Sequence, residues 1–218
     1  MNARPVILPG IVHVVDDDHA FRKAMGRLLT AAGHTPLLYA SADEYLACDD
    51  DRGPACVLLD LRMRGRNGLE LQTALARRED ARPVIFVSAH ADIPSTVEAM
   101  RGGALDFLTK PVPTGVLLHA IDGALKRDIE REARRARREE VKRLYSTLTP
   151  RERQVMAGVV AGRLNKQICF ALNSAERTVK THRARVMDKM EVRSVAELVR
   201  LAAELGAAGI ALEPVPGD

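Results

Sequence analysis

The 218-residue sequence contains no tryptophan, only three cysteines and few aromatic residues, which make up 3% of the chain. Cys48, Cys56 and Cys169 lie far apart and match neither a metal-binding nor a disulfide spacing, so we expect free thiols in a reducing compartment. The three tyrosines and four phenylalanines are not clustered into a surface on which bases could stack, which argues against an RNA-binding output.

Long apolar runs are also missing. Nowhere do about 18 apolar residues follow one another, so we expect no membrane span and no membrane partner. The first residues lack the basic segment, apolar run and small-residue cleavage site of a secretory signal. Hydrophobic residues make up 46% and charged residues 28%, an ordinary globular mixture. We therefore expect a soluble, cytoplasmic protein.

The net charge of +4 is unevenly distributed along the chain. Residues 1–121 carry a balance of −2, whereas residues 122–146 and residues 147–218 each carry +3. All the excess positive charge therefore lies in the C-terminal part. This asymmetry suits a polyanionic partner there, although basic surfaces are common.

The first 120 residues alternate between strand-like and helix-like patterns. Apolar runs resembling strands are followed by stretches with helical spacing, and Ser41 with Glu44 is a capping-box signature. The strand-like runs are at 11–15, 36–39, 56–59, 84–87 and 104–108. Five strands alternating with five helices predict an α/β domain with a five-stranded parallel sheet that helices cover on both faces.

Polar residues follow four of these strands. Asp16 and Asp17 follow the first, Asp60 the third, Ser88 the fourth and Lys110 the fifth. Each residue alone has an ordinary explanation as a cap or turn residue, but strand ends in this architecture converge, and four such positions favour a site. Three adjacent carboxylates need a cation, and oxygen ligands suit Mg²⁺. Ser88 and Lys110 could contact phosphoryl oxygens.

This set of residues resembles the receiver domain of bacterial two-component response regulators. The motifs are Val14-Val15-Asp16-Asp17, Leu58-Leu59-Asp60-Leu61-Arg62-Met63, Ser88-Ala89 and Lys110-Pro111. The resemblance covers about residues 10–125 and implies a flavodoxin-like fold. It implies that a partner histidine kinase phosphorylates Asp60, and that Ser88 and Lys110 contact the phosphoryl group. By the same resemblance, Mg²⁺ is held by Asp17, Asp60 and the backbone carbonyl of Arg62, with Asp16 helping through water.

The resemblance carries further expectations and two departures. Phe107 matches an aromatic residue that rotates inward on activation, although it would equally suit a core aromatic. Asp18 is expected to cap the first helix, and the Lys110-Pro111 bond is expected to be cis. Arg64 stands where the family usually has proline, so the loop after Asp60 is more basic and we expect it to be more flexible. Ser88 replaces the commoner threonine but keeps the hydroxyl.

The remaining chain divides into three parts. Residues 126–144 are highly charged and contain no glycine or proline, which predicts a helical linker whose charges face solvent, with direct DNA contact as the less favoured alternative. Residues 145–206 read as a compact helical domain. Residues 207–218 contain two prolines and two glycines and are expected to form a loose tail.

Within the helical domain, two short helices joined by a tight turn match a helix-turn-helix. On the second of them, Val179, Val186 and Met190 fall on one side and should be core. A small, hydroxyl and basic face lies opposite, which suits a major groove, although any solvated helix shows mixed charge. His182 near the core boundary is expected to be packed and hydrogen-bonded. The opposite face consists of Arg177, Lys180, Thr181, Ala184 and Arg185, with Asp188 among them.

This part resembles the DNA-binding domain of the LuxR family. The motifs are Leu148-Thr149-Pro150-Arg151-Glu152, Gly162, Asn165-Lys166-Gln167-Ile168 and Thr178-Val179-Lys180-Thr181-His182. The resemblance adds Lys166 and Thr178 to the expected DNA contacts. Asn173-Ser174-Ala175 departs from the usual turn, so either the cap has moved to Ser174 or the turn is packed less tightly. Cys169-Phe170 is bulkier than usual.

Together the two resemblances identify a transcriptional response regulator of the FixJ-like class within the NarL group. The expected partners are a sensor histidine kinase, double-stranded promoter DNA, a second copy of the chain upon phosphorylation, and RNA polymerase. We expect no turnover of an external substrate; the chain would accept its own phosphoryl group and slowly lose it.

Two alternatives remain. The chain could be a phosphotransfer component whose C-terminal module binds a protein, or a DNA binder whose receiver is a fixed dimerisation platform. The complete set of acids, hydroxyl and lysine argues against the second alternative. Whether the receiver masks the DNA-binding helices before phosphorylation is left open.

Overall fold

A computed structural model describes residues 9–48, 53–77, 81–89 and 92–213. The chain divides into two compact units, Met1–Arg131 and Glu132–Asp218. Within the described residues, no helix combines the length and the apolar character that a transmembrane segment requires.

The first unit is a five-stranded parallel sheet with the strand order β2-β1-β3-β4-β5. A helix precedes every strand but the first, so the chain crosses one face of the sheet between each strand and the next along the sequence. The elements in chain order are β1 (Ile11–Val15), α1 (His19–Ala31), β2 (Thr35–Tyr39), α2 (Ala42–Leu46), β3 (Ala55–Leu59), α3 (Gly68–Ala76), β4 (Val84–Ser88), α4 (Ile93–Arg101), β5 (Asp106–Thr109) and α5 (Thr114–Ser146). The predicted α/β flavodoxin-like fold is confirmed.

Strands β3 and β4 are buried at every residue, which is why they read as continuous apolar runs rather than as alternating patterns. Two apolar cores lie against the two faces of the sheet: one contains Leu59 and Phe86, and the other contains Leu58 and Ile85. The last strand starts later than predicted, at Asp106. The reason is that the amide of Ala104 bonds the carbonyl of Ala99, so that this residue belongs to the turn that ends α4.

Short polar side chains begin the helices of this unit. Asp18 caps α1 as expected, by accepting from the amides of Ala20 and Phe21. Ser41 caps α2, but the predicted capping box is incomplete, since the Glu44 carboxylate accepts from the amide of Ala40 instead of that of Ser41. The Lys110-Pro111 bond is cis, as the resemblance implied.

Helix α5 runs without a break through the charged stretch that was predicted to be a helical linker. Ion pairs one turn apart stabilise its exposed surface, between Glu139 and Lys142 and between Glu140 and Arg143. Near the end of the sheet where β3 begins, the buried Asp128 carboxylate accepts from the Ala55 amide at 2.8 Å. This bond anchors α5 to the sheet.

The second unit contains the end of α5 and four further helices, α6 (Pro150–Val160), α7 (Asn165–Ala171), α8 (Glu176–Lys189) and α9 (Val195–Ala207). Thr149 and Glu152 form a capping box at the start of α6, and Ser194 caps α9. Val179, Val186 and Met190 are buried, which confirms the predicted inner face of α8. Helices α7 and α8 and the turn between them form the expected helix-turn-helix.

One of the two alternatives for the turn and two expectations about this unit need correction. The cap has not moved to Ser174: the N-cap of α8 is Ala175, which makes no capping bond, while the Ser174 hydroxyl bonds the carbonyl of Leu172 at 3.1 Å. His182 is packed as expected, but the expected hydrogen bond is missing at its Nδ1 atom, which is buried without a partner. The tail is not loose at its start, because Ile210 and Leu212 pack against the helical core. Residues 214–218 lie outside the described residues.

The three cysteines are free, as expected. Cys56 is fully buried in β3, and its burial raises the pKa of the thiol. A thiol held protonated in this way is a poor nucleophile, so Cys56 acts as a small apolar core residue.

Candidate functional site

Three carboxylates meet at the carboxyl ends of β1 and β3. Asp16 and Asp17 follow β1, Asp60 follows β3, and one oxygen atom from each lies within 4.8 Å of the others. Asp16 and Asp60 are buried and Asp17 is exposed. The inner part of the pocket, at Asp16 and Asp60, is therefore closed to solvent and is called its floor, and the entrance, at Asp17, is open and is called its mouth. The convergence that the sequence predicted for these residues is confirmed.

Lys110 supplies the positive charge of this pocket. Its Nζ lies 2.6 Å from Asp16 Oδ2 and 3.4 Å from Asp60 Oδ1. The ammonium group also lies 3.8 Å from the centroid of the Phe21 ring, an arrangement in which a cation is attracted to an aromatic face. The lysine side chain is only 19% exposed, which strengthens its interaction with the carboxylates.

The electrostatics of Asp60 reflect this crowding. Burial raises the pKa of its carboxyl above the ordinary value, and the neighbouring Asp16 acts in the same direction, while Lys110 opposes both. The carboxylate therefore gains from any further positive charge brought into the pocket. We consider this the central electrostatic property of the site.

The donor set fits a hard divalent cation. All three side chains offer carboxylate oxygens and no nitrogen or sulfur ligand joins them, which is the chemistry that Mg²⁺ prefers. In the part of the chain that the structure describes, this is the only cluster of three or more metal-ligating side chains. Receiver domains in general use Mg²⁺ at such an acidic pocket.

The loop after β3 is held close to the pocket by its backbone. The amide of Arg62 donates to Asp60 Oδ2 at 3.1 Å, and the amide of Arg64 donates to Asp17 Oδ2 at 3.2 Å. Gly68 packs so closely on the carbonyl of Asp60 that a Cβ atom there would clash. The loop that departs from the family pattern is thus built onto the acidic pocket.

Ser88 and Phe107 lie on β4 and β5, the two strands that follow β3 in the sheet. Ser88 is buried at the end of β4, and its carbonyl accepts from the Lys110 amide at 2.9 Å, which joins two site residues through the backbone. Phe107 on β5 is half-buried and stacks on Phe86, with ring centroids 5.8 Å apart. This position suits a core aromatic and an aromatic that changes rotamer equally well.

Two residues of the site were missed by the sequence reasoning. Arg22 donates from Nη1 to the carbonyl of Asp16 at 2.6 Å, and Phe21 forms the aromatic surface under Lys110. Phe21 also packs against the apolar core on one face of the sheet. No signal in the linear sequence links it to a lysine so far along the chain.

The second unit presents an exposed polar face on α8. Lys180 and Thr181 are held by neighbours on the same helix, since Lys180 Nζ pairs with Glu176 Oε1 at 3.1 Å and the Thr181 hydroxyl donates to the Arg177 carbonyl. Lys166 on α7 is also exposed. The predicted DNA-facing residues are therefore all accessible; they are Lys166, Arg177, Thr178, Lys180, Thr181, Ala184 and Arg185.

Contacts between helices fix the geometry of the helix-turn-helix. Arg183 on α8 donates to Asn165 Oδ1 on α7 at 3.0 Å. The guanidinium of Arg151 contacts both the Leu172 carbonyl and the Ser174 hydroxyl in the turn between these helices. These polar contacts hold the turn in front of α8, whose N-cap Ala175 makes no side-chain capping bond.

Two family profiles match the chain. The response regulator receiver domain matches residues 12–122, and the bacterial regulatory proteins of the luxR family match residues 146–202. Both matches fall on the parts that the sequence motifs had indicated.

Known proteins with both parts are similar over most of their length. Nodulation protein W of Bradyrhizobium diazoefficiens is 42% identical over 90% of this chain and 86% of its own length. Transcriptional regulatory protein FixJ of Rhizobium meliloti is 39% identical over 88% of this chain and 94% of its own. The solved structure of the response regulator StyR is 41% identical, with a TM-score of 0.82 over 90% of this chain and all of that one.

Family membership is therefore established over both units. FixJ is named a transcriptional regulatory protein and StyR a response regulator, so the family is one of regulators. With a receiver domain in front of a luxR-type helix-turn-helix, the chain belongs to the DNA-binding two-component response regulators of the NarL/FixJ class.

Proposed function

We propose that this response regulator is switched by phosphorylation of Asp60, and that the switch controls promoter binding through α8. The observation that carries the proposal is the position of the Asp60 carboxylate, which is buried at the floor of the pocket beside Asp16 and lies 3.4 Å from Lys110 Nζ. A nucleophilic carboxylate beside a single lysine, with an open mouth above it, suits the capture of a phosphoryl group.

In the proposed reaction, a sensor histidine kinase supplies a phosphohistidine. An oxygen of Asp60 forms a bond to phosphorus while the bond between phosphorus and the histidine nitrogen breaks, and the imidazole leaves. Lys110, already 3.4 Å from Asp60 Oδ1, would pair with one phosphoryl oxygen, and the Ser88 hydroxyl would donate to another. When Ser88 moves toward the phosphoryl group, the Phe107 side chain would rotate inward and so act as the switch residue.

We propose that Mg²⁺ is held by Asp17, Asp60 and the carbonyl of Arg62, with Asp16 acting through water. When bound, the ion neutralises the repulsion among the carboxylates and the charge on the phosphoryl oxygens. The chain's own contribution is to hold these oxygens together: the Arg62 amide fixes Asp60 Oδ2, and the Arg64 amide fixes Asp17.

The output that we propose is a shift in population toward a dimer that binds two half-sites. Exposed apolar residues on α4, namely Ile93, Val97 and Met100, lie close to one another on one face and would suit a contact between receivers. On DNA, the exposed face of α8 would enter the major groove, while Lys166 would contact phosphate.

The remaining assignments follow from this function. We assign residues 1–125 to the receiver domain that is phosphorylated, residues 126–144 to a helical linker and residues 145–206 to the DNA-binding domain. A promoter-binding regulator works where the DNA is, so we place the protein in the cytoplasm, with RNA polymerase as a further partner.

The test is phosphate labelling of the full chain with acetyl phosphate and Mg²⁺, followed by intact-mass measurement. The native chain should gain one phosphoryl group and Asp60→Asn none. Asp17→Asn, which keeps the phosphoacceptor but weakens the metal site, should be labelled more slowly. Equal labelling of the native chain and Asp60→Asn would refute the assignment of Asp60.

A further inference from the structure

Three arginines alternate along the loop that follows β3, at Arg62, Arg64 and Arg66. Two of them are paired with carboxylates. Arg62 Nη2 lies 3.5 Å from Asp92 Oδ2, and Arg66 Nε lies 3.4 Å from Asp43 Oδ1. Surface pairs of this kind contribute little to stability, but each offsets the charge of its arginine with a nearby negative charge.

Arg64 differs from both neighbours. Its side chain is exposed, and no carboxylate among the described residues forms an ion pair with it. Its backbone amide donates to Asp17 Oδ2, so the residue sits at the mouth of the acidic pocket. The Arg64 backbone therefore lies at the entrance to the phosphorylation site, and its exposed guanidinium, which pairs with no carboxylate among the described residues, is within one side-chain length of that entrance.

A phosphodonor meets an electrostatic obstacle at this entrance. The donor is negatively charged, and the pocket contains the carboxylates of Asp16, Asp17 and Asp60. Lys110 is engaged by two of them at the floor and is largely shielded from solvent. A bound Mg²⁺ would offset the carboxylates inside the pocket, whereas a positive charge at the mouth would attract the donor before it reaches the ion or Lys110.

We propose that Arg64 is a positioning residue that draws doubly negative phosphodonors into the pocket of Asp60. The inference rests on the proposed function and assigns Arg64 a role in the capture of the donor, not in the transfer itself. In the transfer from acetyl phosphate, Asp60 forms the new bond to phosphorus, the bond between phosphorus and the acetate oxygen breaks, and acetate leaves with the electron pair.

The size of the effect follows from Coulomb's law. In water without salt, the attraction between a single positive charge and a doubly negative group about 8 Å apart raises the rate of their encounter about fivefold. At moderate ionic strength, screening reduces this to about two- to threefold, and near 1 M salt it should vanish. Attraction of the donor, here called the steering role of Arg64, requires only a positive charge, so a lysine at this position should preserve it.

The experiment measures the rate of Asp60 phosphorylation in the full chain with Mg²⁺ against the concentration of acetyl phosphate. For Arg64→Gln at low salt, the second-order rate constant should fall about threefold while the saturating rate stays unchanged. Arg64→Lys should behave as the native chain. Phosphoramidate, whose ammonium group offsets one negative charge, should show a smaller loss. At high salt all variants should converge, which also shows that each of them is folded.

Arg66→Gln is the matched control, because it removes the same charge from the same loop but from an arginine that Asp43 already balances. Its loss at low salt should be smaller than that of Arg64→Gln. An equal loss for the two variants, or a loss for Arg64→Gln that persists at high salt, would overturn the steering role. An unchanged rate for Arg64→Gln would do the same and leave the function of Asp60 intact. Failure of the native chain to be labelled would overturn both proposals.

Discussion

Replacing Lys110 by methionine tests the electrostatic account of the pocket. The substitution keeps a side chain of similar length over Phe21 but removes the cation that pairs with the carboxylates of both Asp16 and Asp60. Each charge-assisted hydrogen bond contributes about 1.5–3 kcal/mol, and the 3.4 Å bond to Asp60 counts for less than the 2.6 Å bond to Asp16. We expect a loss of about 3 kcal/mol in the free energy of unfolding of the receiver unit.

Thermal and urea unfolding without Mg²⁺ measure this loss, and a fall of about 10 °C in the midpoint is expected for a domain of this size. Saturating Mg²⁺ should restore much of it, because the ion replaces the missing positive charge. Lys23→Met, which removes an exposed lysine from α1, should change stability by less than about 0.5 kcal/mol. The same loss with and without Mg²⁺, or in an Asp16→Asn background, which lacks the closer partner of Lys110, would refute the reasoning.

Further predictions concern DNA binding and pH. Lys180→Ala should weaken DNA binding and lower the salt slope by about one unit, whereas Glu176→Gln, which releases Lys180 from its ion pair, should tighten binding; gel shifts across a salt series decide both. His34 is 4% exposed, and burial lowers its pKa below the ordinary 6.5. Because the unfolded chain then binds the proton more readily, stability should fall as the pH drops below about 6.5. In urea unfolding, His34→Leu should remove this loss of stability at low pH. It should also raise the free energy of unfolding by about 1 kcal/mol, because it deletes two buried nitrogens that have no hydrogen-bond partner.

The acidic pocket was predictable from the sequence because it depends on a general property of parallel sheets. Asp16, Asp17 and Asp60 follow strands whose carboxyl ends share one edge, so their proximity follows from the strand assignment alone. The inner face of α8 was predictable for a similar reason, since helical periodicity places Val179 and Val186 on the same side.

The contacts around these residues were not predictable, because they depend on how side chains from distant segments pack. The position of Phe21 under Lys110 joins α1 to the end of β5, and neither pattern contains information about the other. Ser174 matched a capping residue by type, yet its hydroxyl bonds the Leu172 carbonyl and the Arg151 guanidinium instead. The start of the tail was misjudged because its glycines and prolines outweighed two apolar residues, Ile210 and Leu212, that find the core.

The most direct test of the phosphorylation switch is sedimentation velocity of the full chain with Mg²⁺, with and without beryllofluoride, a mimic of the phosphoryl group on Asp60. Without beryllofluoride we expect a monomer of 23.9 kDa, and with it a species of about twice that mass. Asp60→Asn should remain monomeric under both conditions. A native chain whose mass does not change when beryllofluoride is added would contradict the account, and so would an equal shift in Asp60→Asn.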